Sequence, residues 1–263
     1  MASLPLVDFC GLEVSRLILG GNPFSGFSHQ SRQRDEEMLN YYTVERLKET
    51  LARAEAAGIN TAIIRSDYHI HRLLREYYNE GGGIQWIAQV SGDRSMVGFA
   101  KEVRRAADAG AVAAYLHGGL LDACYADRDE AGFARLVEAL GESGVPVGSA
   151  GHAAAAHLWA YELDVPLDFH VVCFYNCGSL HDARGEKFQE PDPDHAVEAI
   201  QQIELPCIAY KIMAAGRVEP RPGFERAFAG IKPGDVVNVG VYRGDNDNMV
   251  EDNVDMVAEI LDG

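Results

Sequence analysis

Short apolar runs and stretches of helical period take turns along the whole chain. The apolar runs cover residues 16–20, 60–64, 85–90, 111–116, 146–149, 169–175, 207–211 and 235–241. Most are apolar throughout and do not alternate, which is the pattern of strands buried on both faces, as in a parallel sheet covered by helices. Between them lie stretches whose apolar residues recur every three to four positions. Residues 43–57 carry Val44, Leu47, Leu51 and Ala54 on one face, with Thr43 as N-cap and Gly58 just past the end. Further helices are expected at 70–78, before Ala109-Gly110, and at 130–140, 153–163, 196–203, 224–229 and 248–261. The result is eight strands and eight helices in strict alternation.

An eightfold βα count favours a closed (β/α)₈ TIM barrel over an open doubly wound sheet, and no GxGxxG follows the first strand. The chain of 263 residues suits a single barrel domain over 1–263. The one long polar connection, residues 178–194, follows the sixth strand and reads as a loop over the barrel mouth.

Composition narrows the function. Lys and Arg number 23 against 40 Asp and Glu, a net charge of −17. Such a chain repels polyphosphate and anionic lipid, so a small-molecule substrate is expected rather than nucleic acid or membrane. No apolar run is long enough to span a bilayer, and the start MASLPLVDFCGLEV does not read as a signal peptide. The five cysteines (10, 124, 173, 177 and 207) are odd in number and sit among apolar residues, as reduced thiols of a cytoplasmic protein do.

Residues at the C-terminal ends of barrel strands are the catalytic candidates. Here they are Asn22, then Arg65, Asp67, Tyr68 and His69, then Asp93, His117, His152, Asn176, Cys177, Lys211 and Arg243. A structural barrel has no need of such a titratable ring. Asp67, His69, His117 and His152 are ligand types for a divalent metal, and the alternative is that His69 or His152 caps a following helix or hydrogen-bonds a loop. His71, His157 and His181 are expected to be solvated or packed, and His170 to lie in the core. Lys211 is the most informative residue. It stands in the apolar run CIAYKIM, so it must reach into the mouth or snorkel out between helices. Burial would make it a base, a Schiff-base nucleophile or an electrophile. Arg217, in the AAGR that follows, could bind a carboxylate or phosphate.

Several short motifs, in order, resemble the aldo-keto reductases. They are GLEVSRLILG at 11–20, AGIN at 57–60, Tyr68 with Leu73-Leu74, Leu116-His117, Tyr175-Asn176 and Ala209-Tyr210. The resemblance implies a short N-terminal hairpin ahead of the barrel. It also implies a tetrad of Tyr, Lys, Asp and His, of which Tyr68 and His117 are present. Ile63 stands where the Asp would be, and residues 84–93 contain no Lys. The nicotinamide contacts of the family are replaced as well. Ser-Asn becomes Ala150-Gly151, Gln becomes Val172, and the Ser after the seventh-strand Tyr becomes Lys211. The phosphate segment reads GDNDNMVEDN, with Arg243 as its nearby cation. Were a dinucleotide to bind, Asn176, Tyr210, Arg243 and Asn253 would be its contacts, but NADPH is disfavoured by the acidic rim.

The expectation is therefore an enzyme acting on a small polar carbonyl or sugar-like substrate by acid–base chemistry, of isomerase, epimerase or lyase type. Tyr68, His117, Lys211 and Asp67 are its candidate catalytic residues, with a divalent metal as an open addition. A reductase with a degenerate tetrad and a catalytically silent binding barrel are the alternatives.

Overall fold

The computed structural model describes residues 4–92, 96–177 and 187–263. Asp93, His181 and residues 178–186 of the long connection lie outside the described residues.

Eight parallel strands close into a barrel in the order β10-β3-β4-β5-β6-β7-β8-β9. They are β3 (Leu17–Gly20), β4 (Thr61–Arg65), β5 (Gln85–Val90), β6 (Ala113–Leu116), β7 (Val147–Gly151), β8 (Phe169–Cys173), β9 (Cys207–Tyr210) and β10 (Val236–Gly240). Each falls within two or three residues of its expected position. Ahead of the barrel, β1 (Leu6–Phe9) and β2 (Leu12–Ser15) form an antiparallel hairpin. Its turn places Cys10 at φ 55° and Gly11 at φ 80°, the positive pair that a two-residue hairpin needs. The hairpin plugs the N-terminal end of the barrel, with Phe9 edge-on to Phe169 at 5.3 Å.

Inside the barrel, Ile18, Ile63, Ile87, Ala113, Phe169, Ile208 and Val236 belong to one buried cluster. Gly148 lets the Phe169 ring fill that space, because a Cβ there would lie 2.4 Å from it. One inward step along the strands, the same row becomes polar: Arg65 after Ile63, Gln89 after Ile87, Tyr210 after Ile208 and Asn238 after Val236. The apolar floor thus turns into a polar mouth within two residues.

The outer core lies between barrel and helices. α2 (Val44–Ala56) buries Leu47, Leu51 and Ala54, while Val44, in its first turn, is exposed. Thr43 caps it by accepting from the Arg46 N–H, and Gly58 and Gly110 end their helices at φ 99° and 96°. Two helices have no counterpart in the sequence pattern. α1 (Arg32–Tyr41) buries only Met38, so it carries no apolar stripe. α5 (Gly118–Asp127) starts on two glycines and is apolar nearly all round, with Leu120, Leu121 and Cys124 buried. Among the described residues, no helix is long and apolar enough to cross a membrane, and no cysteine forms a disulfide.

Candidate active site

The strand C-termini open into a two-lobed cleft. The smaller lobe, about 220 Å³, is bounded by His29, Arg65, Gln89, Tyr115, His117, His152, Tyr210 and Lys211. The larger, about 310 Å³, runs over β3, β9 and β10 past Gly20, Gly216, Gly240 and Asn253. Asn22, Arg65, Tyr210 and Lys211 border both.

Lys211 reaches the mouth because the backbone bends there. Tyr210 faces inward, so in a continuing strand Lys211 would face the helices. Instead it adopts φ 56° and its side chain lies over the opening, with Nζ 2.6 Å from the Cys177 Sγ and 5.3 Å from the Tyr210 ring centre. Ala214 and Ala215 in the next turn, and His29 across the cleft, also have positive φ. The left-handed region costs a residue with a side chain about 1–2 kcal/mol. Three of the four, His29, Lys211 and Ala215, border the cleft, which matches the usual siting of backbone strain at functional sites.

The two mouth histidines present opposite faces. His152 is buried, and its Nδ1 lies 2.5 Å from Asp122 Oδ2, while its backbone N–H donates to Oδ1 at 3.0 Å. Burial holds the imidazole below its ordinary pKa against the pull of Asp122, so it is neutral at pH 7. Burial also works to raise Asp122, but its hydrogen bond to His152 prevails and holds the carboxyl low. A neutral ring that donates Nδ1–H to a carboxylate keeps a lone pair on Nε2. His117 is the reverse case. It caps α5 by accepting the Gly119 N–H on Nδ1 at 3.2 Å. Burial, then the neighbouring His152 and Lys211, push it down to about 4. As a neutral ring with Nδ1 accepting, it carries its proton on Nε2. The ring centres lie 6.5 Å apart, and His152 is 6.4 Å from Tyr210. One imidazole therefore offers a base and the other a hydrogen-bond donor at a common cavity.

Behind this pair, the Tyr210 hydroxyl donates to the Gly151 carbonyl at 3.1 Å, and burial raises the phenol well above its ordinary value. Gln89 donates to the Tyr115 hydroxyl at 2.9 Å. Asn238 borders the larger lobe, and its buried Oδ1 has no hydrogen-bond partner among the described residues.

Other candidates lie elsewhere. Tyr68 is 71% exposed on the first turn of α3 (Tyr68–Asn79), beneath the Arg105 guanidinium at 4.6 Å. Asp67 caps that helix by accepting the Ile70 N–H at 2.9 Å, and His69 is exposed. α3 begins two residues earlier than the periodicity suggests, and this carries all three away from the mouth. Neither Tyr68 nor Asp67 borders the cleft. The proposed metal set of Asp67, His69, His117 and His152 therefore does not converge. Among the described residues, no three His, Cys, Asp or Glu side chains are grouped to hold an ion.

The dinucleotide contacts divide as well. Tyr210 and Asn253 border the larger lobe. Asn176 sits outside both lobes, its backbone N–H donating to Asp192 at 3.0 Å. Arg243 is buried and spends its donors on Glu49 and Asp247 at 2.7 Å and on Thr50 at 3.2 Å. Arg217 braces the turn through the carbonyls of Ala214 and His29 and lies over the Phe188 ring. His157 and His170 are core residues, 3.1 Å apart through Nδ1.

Comparison with solved structures finds the same barrel fold in proteins of several kinds. A protein from Pseudomonas aeruginosa, provisionally assigned to the aldo-keto reductases, superposes with a TM-score of 0.67 at 19% identity over 98% of this chain and 95% of its own. What the chain shares with it is the fold. A truncated 3-deoxy-D-arabino-heptulosonate 7-phosphate synthase from Thermotoga maritima gives 0.60 at 13% identity, over 99% and 90% of the two chains. A mandelate oxidase variant bearing an FMN adduct gives 0.56 at 15%, over 99% and 75% of the two. No protein-family model and no curated protein sequence matches. The neighbours share an enzyme scaffold and differ in reaction.

Proposed function

We propose that the protein is an enzyme that moves protons on a small polar carbonyl or sugar-like substrate, in the manner of an isomerase, epimerase or lyase. The observation that carries this reading is the pairing of two neutral imidazoles of opposite hydrogen-bonding sense with Lys211 at one cavity. His152 Nε2 takes the proton from a carbon next to the carbonyl. Asp122 touches no substrate; it positions His152 and stabilises the imidazolium that forms. His117 Nε2–H and the Lys211 amine donate to the carbonyl oxygen as negative charge builds on it.

A degenerate reductase is less well supported. Tyr68, its acid, is on the surface, and Arg243, its phosphate contact, is already neutralised. The test is proton exchange. In deuterated water with a panel of trioses to hexoses and 2-oxo acids, the protein should speed loss of the α-proton signal of at least one compound in NMR spectra. No acceleration across the panel, by protein of native Tm, would contradict the reading.

A further inference from the structure

Although the chain carries a net charge of −17, none of the described side chains bounding the smaller lobe is acidic. Two are cationic, Arg65 and Lys211, and three are histidines. Arg65 is the unusual member. Elsewhere in this protein, arginines near carboxylates are paired: Arg34 with Glu37, Arg53 with Glu251, Arg226 with Asp194 and Arg243 with Glu49. Arg65, inward-facing and half-buried at the end of β4, has only the Phe27 ring, 5.7 Å from its Cζ. Among the described residues it has neither an ion pair nor a hydrogen bond. A guanidinium partly withdrawn from water without a counter-charge is unfavourable unless something at the site supplies one. The nearest carboxylate to the imidazoles, Asp122, is engaged by His152. In the larger lobe Asp245 is engaged by Arg34. Arg65 and Lys211 both act on His117 by through-space repulsion, so the two cations look onto the same imidazole.

We infer that the substrate of this mouth carries an oxyanion, a carboxylate or a phosphate, held by Arg65 with Lys211 beside it. The inference rests on the reading of the mouth as an active site and narrows its substrate class. It reconciles the strongly acidic chain with a small anionic ligand. The surface charge repels polyanions, while a pocket with two cations and no acid among its described residues retains one small one. Arg suits the task because its planar fork meets two oxygens of a carboxylate or phosphate at once, and the Phe27 ring beneath keeps the fork in place.

Calorimetric titration at low salt with oxalate, inorganic phosphate and glycerol separates the sources. Oxalate binding alone points to a carboxylic acid and phosphate binding alone to a phosphate ester. Either supports the inference provided glycerol does not bind. Arg65→Met should weaken the bound anion at least about tenfold, the loss of one charge-assisted contact, without lowering Tm. If Arg65→Met folds poorly, Arg65→Lys carries the test, since it keeps the charge but loses the fork and should bind several-fold more weakly. Failure of both anions to bind, or unchanged affinity in a folded variant, overturns the inference. Proton exchange distinguishes the two readings. Exchange on neutral sugars that Arg65→Met leaves intact would retain the enzyme and discard the anion. Anion binding without exchange on any compound would retain the anion and discard the reaction.

Discussion

Acid should destabilise this protein through its buried histidines. His157 is fully buried, with Nδ1 3.1 Å from His170 Nδ1 and Nε2 3.3 Å from the Gly151 carbonyl. Burial pushes His157 down to about 4, and His117 is likewise held at about 4. Unfolded, each returns to an ordinary value near 6.5. The stability these groups contribute is complete above about pH 6.5 and is lost as pH falls toward 4, because the unfolded chain takes up protons that the native one refuses. At about pH 5 each site costs about 2 kcal/mol, so the two together remove about 4 kcal/mol of the roughly 5–15 kcal/mol typical of a domain. His29, pushed by burial to about 3, acts in the same direction. Urea melts at about pH 7.5 and about pH 5 measure the loss. His117→Asn is the discriminating variant, since Asn still caps α5 but does not titrate. It should match wild type at the higher pH and be about 2 kcal/mol more stable than wild type at the lower. Equal stability of wild type at the two pH values, or an unchanged pH dependence in His117→Asn, would refute the reasoning.

Three further outcomes follow from the packing and the site. Gly148→Ala sets a methyl against the Phe169 ring inside a closed barrel and should lower stability by about 1–3 kcal/mol in the same melts. Asp122→Asn removes the carboxylate that orients His152 and should slow proton exchange about 10²-fold or more while anion binding in the calorimeter persists. NADPH should show no micromolar affinity in a fluorescence titration, because Arg243 is buried and already paired with Glu49 and Asp247; tight binding would reopen the reductase reading.

The barrel was legible because most of its strands are apolar nearly throughout and several of its αβ turns are marked by glycine, as at Gly58, Gly110 and Gly144. The hairpin followed from the resemblance. Part of the mouth was legible too, since Asn22, Arg65, His117, His152 and Lys211 end strands and do border the cleft. What sequence position could not supply was direction. Tyr68, Asp67 and His69 also follow a strand, but they form the capping turn of α3 and point outward. Arg243 looked like a lone cation in an acidic run, yet Glu49, nearly two hundred residues away in sequence, satisfies it. Asp122 was hidden because α5 opens on Gly-Gly and lacks a polar face. His29 lies in a stretch without periodicity, where only the fold brings it to the mouth.

Lys211→Met tests the central claim most directly. The ammonium stands over the cavity, 2.6 Å from Cys177 Sγ, and not among the outer helices. Methionine keeps the stem and removes the donor. Measured on the compound that wild type exchanges fastest in deuterated water, the variant should retain the wild-type Tm and lose proton exchange by about 10²-fold or more. A lowered Tm with the exchange rate preserved would make Lys211 a structural residue and contradict the account.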